Sequence, residues 1–299
     1  MSDWYYSNTV LLQQTLTTLL MALSIQIPMR MGVFSFAGIG AFGIGGYTAA
    51  AAMLHLGWAT LPSIVLGMLI PGVVVYLLGL IIQKLTGLYL GMATIAFTLI
   101  VSVVAVNGGD LTGGAAGLFG ALGDLTFESI LVVTVVVVAI TQVTESGGLG
   151  RRIDAVREDP ELASALGIDV VRYRRLSFLA SGLVGGLAGG ITTLLRSTIT
   201  PAEVNFHLVV LALTVIVVGG TRSWIGVAIG SVVFVWLPTV VSFVGEWEEF
   251  IYGVVVVLAA LFLPNGVFGV LRDAWHRIRI RDVRGDDEPA RPEIVKAAP

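Results

Sequence analysis

Few residues in this chain are equipped for chemistry, and their spacing limits what they can do. Gly38-Ile39-Gly40-Ala41-Phe42-Gly43 has the glycine spacing of a dinucleotide-binding loop. That loop works only between a strand and a helix, with an acidic residue about twenty positions further on. Here the glycines run into the apolar stretch around Tyr47, where small residues let helices approach closely. Gly182, Gly186 and Gly190, with Gly185 and Gly189, repeat at i, i+4 and read the same way. A phosphate loop needs Gly-Lys followed by Ser or Thr, yet Lys84 follows Gln83 and Lys296 follows Val295. If transport through this chain consumes ATP, another subunit must hydrolyse it. His55, His207 and His276 lack metal-ligand spacing. With no cysteine in the sequence, disulfides and thiolate metal sites are excluded. No nucleophile, base and metal set converges, which argues against an enzyme.

The elements that must position these residues follow from composition. The 299 residues are 56% hydrophobic and only 12% charged, with mean hydropathy +0.92. A soluble domain carries about a quarter charged residues, and a bilayer-spanning helix needs about 20 apolar ones. The chain reads as an all-α polytopic membrane protein. Valine runs such as 132–138 would suggest strands in water, but an open sheet edge cannot sit in lipid. Cutting at charges, prolines and turn clusters predicts nine spans: 9–27, 36–56, 59–82, 88–106, 127–143, 176–195, 206–218, 224–244 and 250–268. Eight or ten result if 29–36 or 219–224 forms a re-entrant hairpin. Before Arg30 there is no lysine or arginine and so no positive region of a secretory signal, and the first apolar stretch is expected to be retained as a helix.

Cytoplasmic loops accumulate lysine and arginine. Nine spans with the amino terminus outside and the carboxyl terminus cytoplasmic put all but Arg196 of the 17 basic residues inside. The ionisable side chains within the spans, His55, Glu128, Arg196 and His207, all fall near span ends. No midplane charge remains for proton or sodium coupling. The membrane domain covers 1–271, including a cytoplasmic loop at 145–175. The tail at 272–299 is charged, holds Pro289 and Pro292, lacks a periodic apolar face and reads as disordered.

The cytoplasmic loop holds the one soluble motif. Asp159 is placed to cap a helix with Pro160 at its first position, Glu161 near its positive end and Gly167 at its stop. This predicts a surface helix of about two turns. Its small face, Ala163 and Gly167, suits a groove on another protein. From composition alone, an ordinary solvated loop explains the segment equally well.

Glu161, Ala163 and Gly167 also match the spacing of the Glu-Ala-Ala-x-x-x-Gly coupling motif of ABC-importer permeases, with Leu162 in place of the first alanine. The chain further resembles LivM-type permeases of branched-chain amino-acid uptake systems in blocks 35–47, 87–94, 111–118, 150–167, 178–190 and 218–226, and in Leu263-Pro264-Asn265-Gly266-Val267-Phe268-Gly269. It departs from that pattern at Val33 and Ala37. The resemblance implies a permease subunit in the plasma membrane of a bacterium or archaeon. It would work with a second related permease, two ABC ATPase subunits that bind ATP and Mg, and an extracytoplasmic solute-binding protein. The chain itself would need no cofactor and no nucleic acid, and its only other partner would be the lipid bilayer. The cargo would be a small polar solute: branched-chain or other amino acids, or on a self-sufficient channel reading a neutral molecule such as urea. The implied coupling residues are Arg157, Glu161, Ala163 and Gly167. Thr94, Thr112, Gly113 and Gly114 offer hydroxyls and amides for solute passage.

Overall fold

Glycine faces decide how the helices pack. In a computed structural model describing residues 2–241 and 253, the long apolar runs form α1 (Ser2–Arg30), α2 (Ala37–Leu56), α3 (Thr60–Ile82), α4 (Gly87–Asn107), α5 (Phe127–Glu145) and α8 (Val170–Arg196). Between α5 and α8 lie the short helices α6 (Gly147–Glu158) and α7 (Pro160–Ala165), and α9 (Phe206–Gly219) and α10 (Trp224–Val241) follow. The centre is α2, α3 and α8. A Cβ on Gly189 would stand 1.9 Å from the Phe42 carbonyl oxygen, one on Gly185 2.4 Å from that of Gly38, and one on Gly186 2.4 Å from that of Gly67. Backbones this close exclude any side chain, as in other small-residue membrane interfaces. The aliphatic faces of α3, α4 and α5 point outward instead, with Leu61, Ile81, Val104 and Val136 exposed, as lipid-facing surfaces must be.

The nine-span expectation is corrected. Among the described residues, six helices are long and apolar enough to cross a membrane. A seventh is reached only if the pair α9 and α10, bent by 119° at its break, counts as one span. The 14 residues of α9 rise about 21 Å, short of the roughly 30 Å hydrocarbon core. Read along the sequence, Gly219-Gly220 and Arg222 separate two apolar runs. In space the second run is bent by 119° from the first, the geometry of one broken or re-entrant segment. Apart from residue 253, the predicted span at 250–268 lies outside the described residues, as does the tail at 272–299. The orientation of the termini follows from the count of nine spans; with Arg30 at the arginine-rich end, the amino end of α1 lies at the opposite end of the bundle, and the carboxyl terminus lies outside the described residues.

Hydrogen bonds gather the basic residues at one end of the bundle. Arg175 at the start of α8 donates to Gln83 just past α3, at 3.2 and 2.8 Å. Arg30 ends α1 beside α5 and α6. Arg196 belongs to the opposite end. There the residues between α4 and α5 lack a long helix, and a two-residue strand pair, β1 (Leu118–Phe119) against β2 (Thr198–Ile199), ties them antiparallel to the segment after α8. The pair pins a loop and leaves the helical class unchanged.

Candidate functional site

At the arginine-rich end, local sequence builds α7 as anticipated. Asp159 Oδ1 accepts from the amides of Glu161 and Leu162, both at 3.0 Å, with Pro160 following the cap. The helix stops because Gly167 takes φ +82°. The Ile168 amide then reaches the Ala163 carbonyl and the Gly167 amide that of Ser164, each at 3.0 Å. This pairing consumes the last carbonyls of the helix. Glu161 and Gly167 are exposed, while Ala163 is 1% exposed and packs against the chain itself. The apolar side chains that α7 presents outward are Leu162, 57% exposed, and Leu166, 70% exposed. They sit at i, i+4 on one face.

Beneath α7, α6 is amphipathic: Ile153 and Val156 are buried, and Arg151, Arg152 and Glu158 face out. Arg157 turns inward, its Nη2 donating to Thr221 Oγ1 at 3.5 Å in the turn between α9 and α10. Its backbone lies against Gly32, where a Cβ would come within 3.4 Å of the Arg157 Cα. Burial, and after it the nearby Arg222, push the Arg157 pKa down, while Asp154 and Glu158 oppose the shift. The guanidinium stays charged regardless, so its place here is held against a desolvation cost.

A second arginine completes the knot. Arg30 Nη1 lies 3.4 Å from Glu145 Oε1, both side chains 9% exposed, and Nη2 lies 3.8 Å from Asp154 on α6. Glu145 also accepts from the Trp224 amide at 2.8 Å and from Ser223 Oγ at 3.2 Å. The Trp224 indole N–H donates to Gln142. α1, α5, α6 and the α9–α10 turn therefore meet in one polar cluster with the buried Arg30–Glu145 pair at its centre. Sequence reasoning found Arg157 but missed Arg30, Glu145 and Thr221. Arg30 and Glu145 stand 115 residues apart, and no local pattern joins them.

Comparison with known proteins gives the family of the chain. Residues 9–260 match the family described as the permease component of branched-chain amino acid transport systems. The chain belongs to this permease family. It is 24% identical to the high-affinity branched-chain amino acid transport system permease protein LivM of Salmonella typhimurium, the match covering 86% of this chain and 69% of that protein. LivM of Escherichia coli is 23% identical with the same coverage. The probable permease protein LivH of Methanocaldococcus jannaschii is 26% identical over 54% of this chain and 52% of its own length. No solved structure matches the chain. The permease is thus an ABC-importer membrane subunit, a multi-pass transport component and not a catalytic one.

The permease's four candidate passage residues fall in two places. Thr94 is fully buried in α4, donating to the Leu90 carbonyl at 3.0 Å and accepting from the Phe36 amide at 3.0 Å. It thereby pins the extended segment that leads into α2. Thr112, Gly113 and Gly114 lie in the loop after α4, where Thr112 Oγ1 donates to the Ala105 carbonyl at 2.7 Å. Gly113 and Gly114 have φ +71° and +62°. This loop is laced to its surroundings: the Gly120 amide donates to Ser197 and the Gly123 amide to Leu194, both at 2.9 Å, and the Asp124 amide to Thr60 Oγ1 at 3.0 Å. Gly117 has φ +85°, and a Cβ there would stand 2.2 Å from the Ile199 carbonyl oxygen. Gly117→Val should therefore release β1 from β2. It should cost about 2 kcal/mol through strain and lost pairing. The loop should become sensitive to protease in membrane vesicles while the amount of permease in the membrane changes little.

Proposed function

We propose that this permease carries branched-chain or other amino acids within a heteromeric importer. The importer would contain a second related permease, two ABC ATPase subunits that bind ATP and Mg, and an extracytoplasmic binding protein. The arginine-rich end is the cytoplasmic one, by the rule that basic residues stay inside. The observation that supports this reading best is the exposed Leu162–Leu166 face of α7, carried on an α6 keyed into the bundle by Arg157, Arg30 and Glu145. A docking helix must be accessible on one side and rigidly coupled on the other, and this one has both properties.

The coupling residues then take distinct roles. Leu162 and Leu166 enter the ATPase groove beside exposed Glu161. Ala163 and the Gly167 stop set the pitch of α7 on α6, and Arg157 passes its displacement to the α9–α10 turn. Closure of the ATPase dimer would move α6 and α7 as a unit and bias the bundle between inward- and outward-open states. Solute would arrive at the opposite end, by the loop holding Thr112, Gly113 and Gly114, while Thr94 holds the base of α2 in place. The test is reconstitution. The permease alone in liposomes should be inert, and ATP with the partner subunits and binding protein should drive amino-acid uptake. Movement of solute by the permease alone would replace this reading with that of a facilitator.

A further inference from the structure

Near the end of the bundle opposite the coupling helices, a cavity of about 250 Å³ opens between α1, α2, α8 and α9. Its lining is divided by chemistry: Arg196 and Glu203 supply opposite charges and His207 an imidazole, while Met21, Phe42 and Leu211 supply an apolar wall. Arg196 is exposed and pairs with no acidic side chain among the described residues. Glu203 is half-buried, and one of its carboxylate oxygens accepts from Thr200 Oγ1 at 3.3 Å. The two opposite charges share one cavity without closing on each other within ion-pair distance. Arg196 is also the one basic residue of the described chain outside the arginine-rich end, a place topology does not call for.

We propose that this cavity is a solute-binding station of the permease, with Arg196 receiving the carboxylate and Glu203 the ammonium of a zwitterionic amino acid whose apolar side chain lies against Met21, Phe42 and Leu211. A guanidinium pairs with a carboxylate through parallel charge-assisted hydrogen bonds, and a carboxylate accepts from an ammonium. A solute that bridges the two charges replaces the water each would otherwise hold, and the apolar wall rewards a hydrocarbon side chain. A neutral solute such as urea would leave both charges unmatched, so the cavity selects against it. The inference rests on the amino-acid importer reading above and narrows it to a place and a set of contacts.

The test uses the complete importer in proteoliposomes and exploits the absence of cysteine from this chain. The thiol of Thr18→Cys, on the cavity wall, should be shielded from a maleimide by leucine and left reactive by urea. Adding Arg196→Gln or Glu203→Gln should raise the leucine concentration needed for shielding about tenfold, the loss of one charge-assisted contact. Arg196→Lys should recover part of it. ATPase association and leucine binding to the isolated binding protein should stay unchanged. If leucine drives normal ATP-dependent uptake yet neither shields the thiol nor depends on Arg196 and Glu203, the binding station is refuted and the importer reading stands. If the unsubstituted complex moves no amino acid at all, the importer reading fails, and this site fails with it.

Discussion

Leu166→Arg should abolish co-purification of the ATPase subunits and ATP-driven uptake while leaving the permease at its normal abundance in the membrane. Leu166 is 70% exposed, so within this chain the substitution removes little packing and should cost within about 0.5 kcal/mol, as exposed positions usually do. In a groove on a partner the same guanidinium would be stripped of water without a counter-charge, a penalty of several kcal/mol that a docked helix cannot absorb. Gly167→Arg would give a less clean answer, because φ +82° at that position strains any side chain whether or not a partner is present. The measurement is the ratio of ATPase to permease recovered on a tag placed on the second permease, alongside uptake. Recovery of the full complex with the arginine in place would remove α7 from the docking surface.

The second large effect should come from the glycine centre. Gly189→Leu should prevent assembly of the helix bundle, because its first carbon would already lie 1.9 Å from the Phe42 carbonyl oxygen and that contact is backbone on both sides. Neither helix can yield without losing the neighbouring contacts at Gly185 and Gly186, so the cost should exceed about 3 kcal/mol. Membrane abundance should collapse, and any protein extracted in detergent should unfold at markedly lower temperature. Gly148→Ala is the control, since an added Cβ there meets nothing closer than the Arg151 side chain at 4.0 Å. Equal abundance of the two variants would mean that α2 and α8 are not packed through these glycines.

Much of this permease is legible along its sequence wherever the cause is local. The ends of α2, α3 and α4 fall within a residue of the predicted spans because hydropathy ends where charges and turn residues begin. The cap, first residue and stop of α7 are legible because Asp159, Pro160 and Gly167 each act on backbone a few residues away. The glycine repeats of α8 announce close packing, since only a helix neighbour requires a face without side chains. Other features depend on which parts of the chain come together. Hydropathy yields the bounds of α9 to within a residue and the start of α10 but not the 119° between them, because the angle at a glycine break is decided by the surfaces on either side. Spacing identifies Ala163 and Gly167 but cannot say that Ala163 faces its own chain and that Leu162 and Leu166 face outward, because a helix's rotation is set by what lies beneath it. The pairing of Arg30 with Glu145, and the meeting of Arg196 and Glu203 in one cavity, leave no periodic trace. Arg30 and Glu145 stand 115 residues apart on different helices, and the wall of Met21, Phe42 and Leu211 that faces Arg196 and Glu203 comes from three further helices, so only tertiary packing brings these groups to one place.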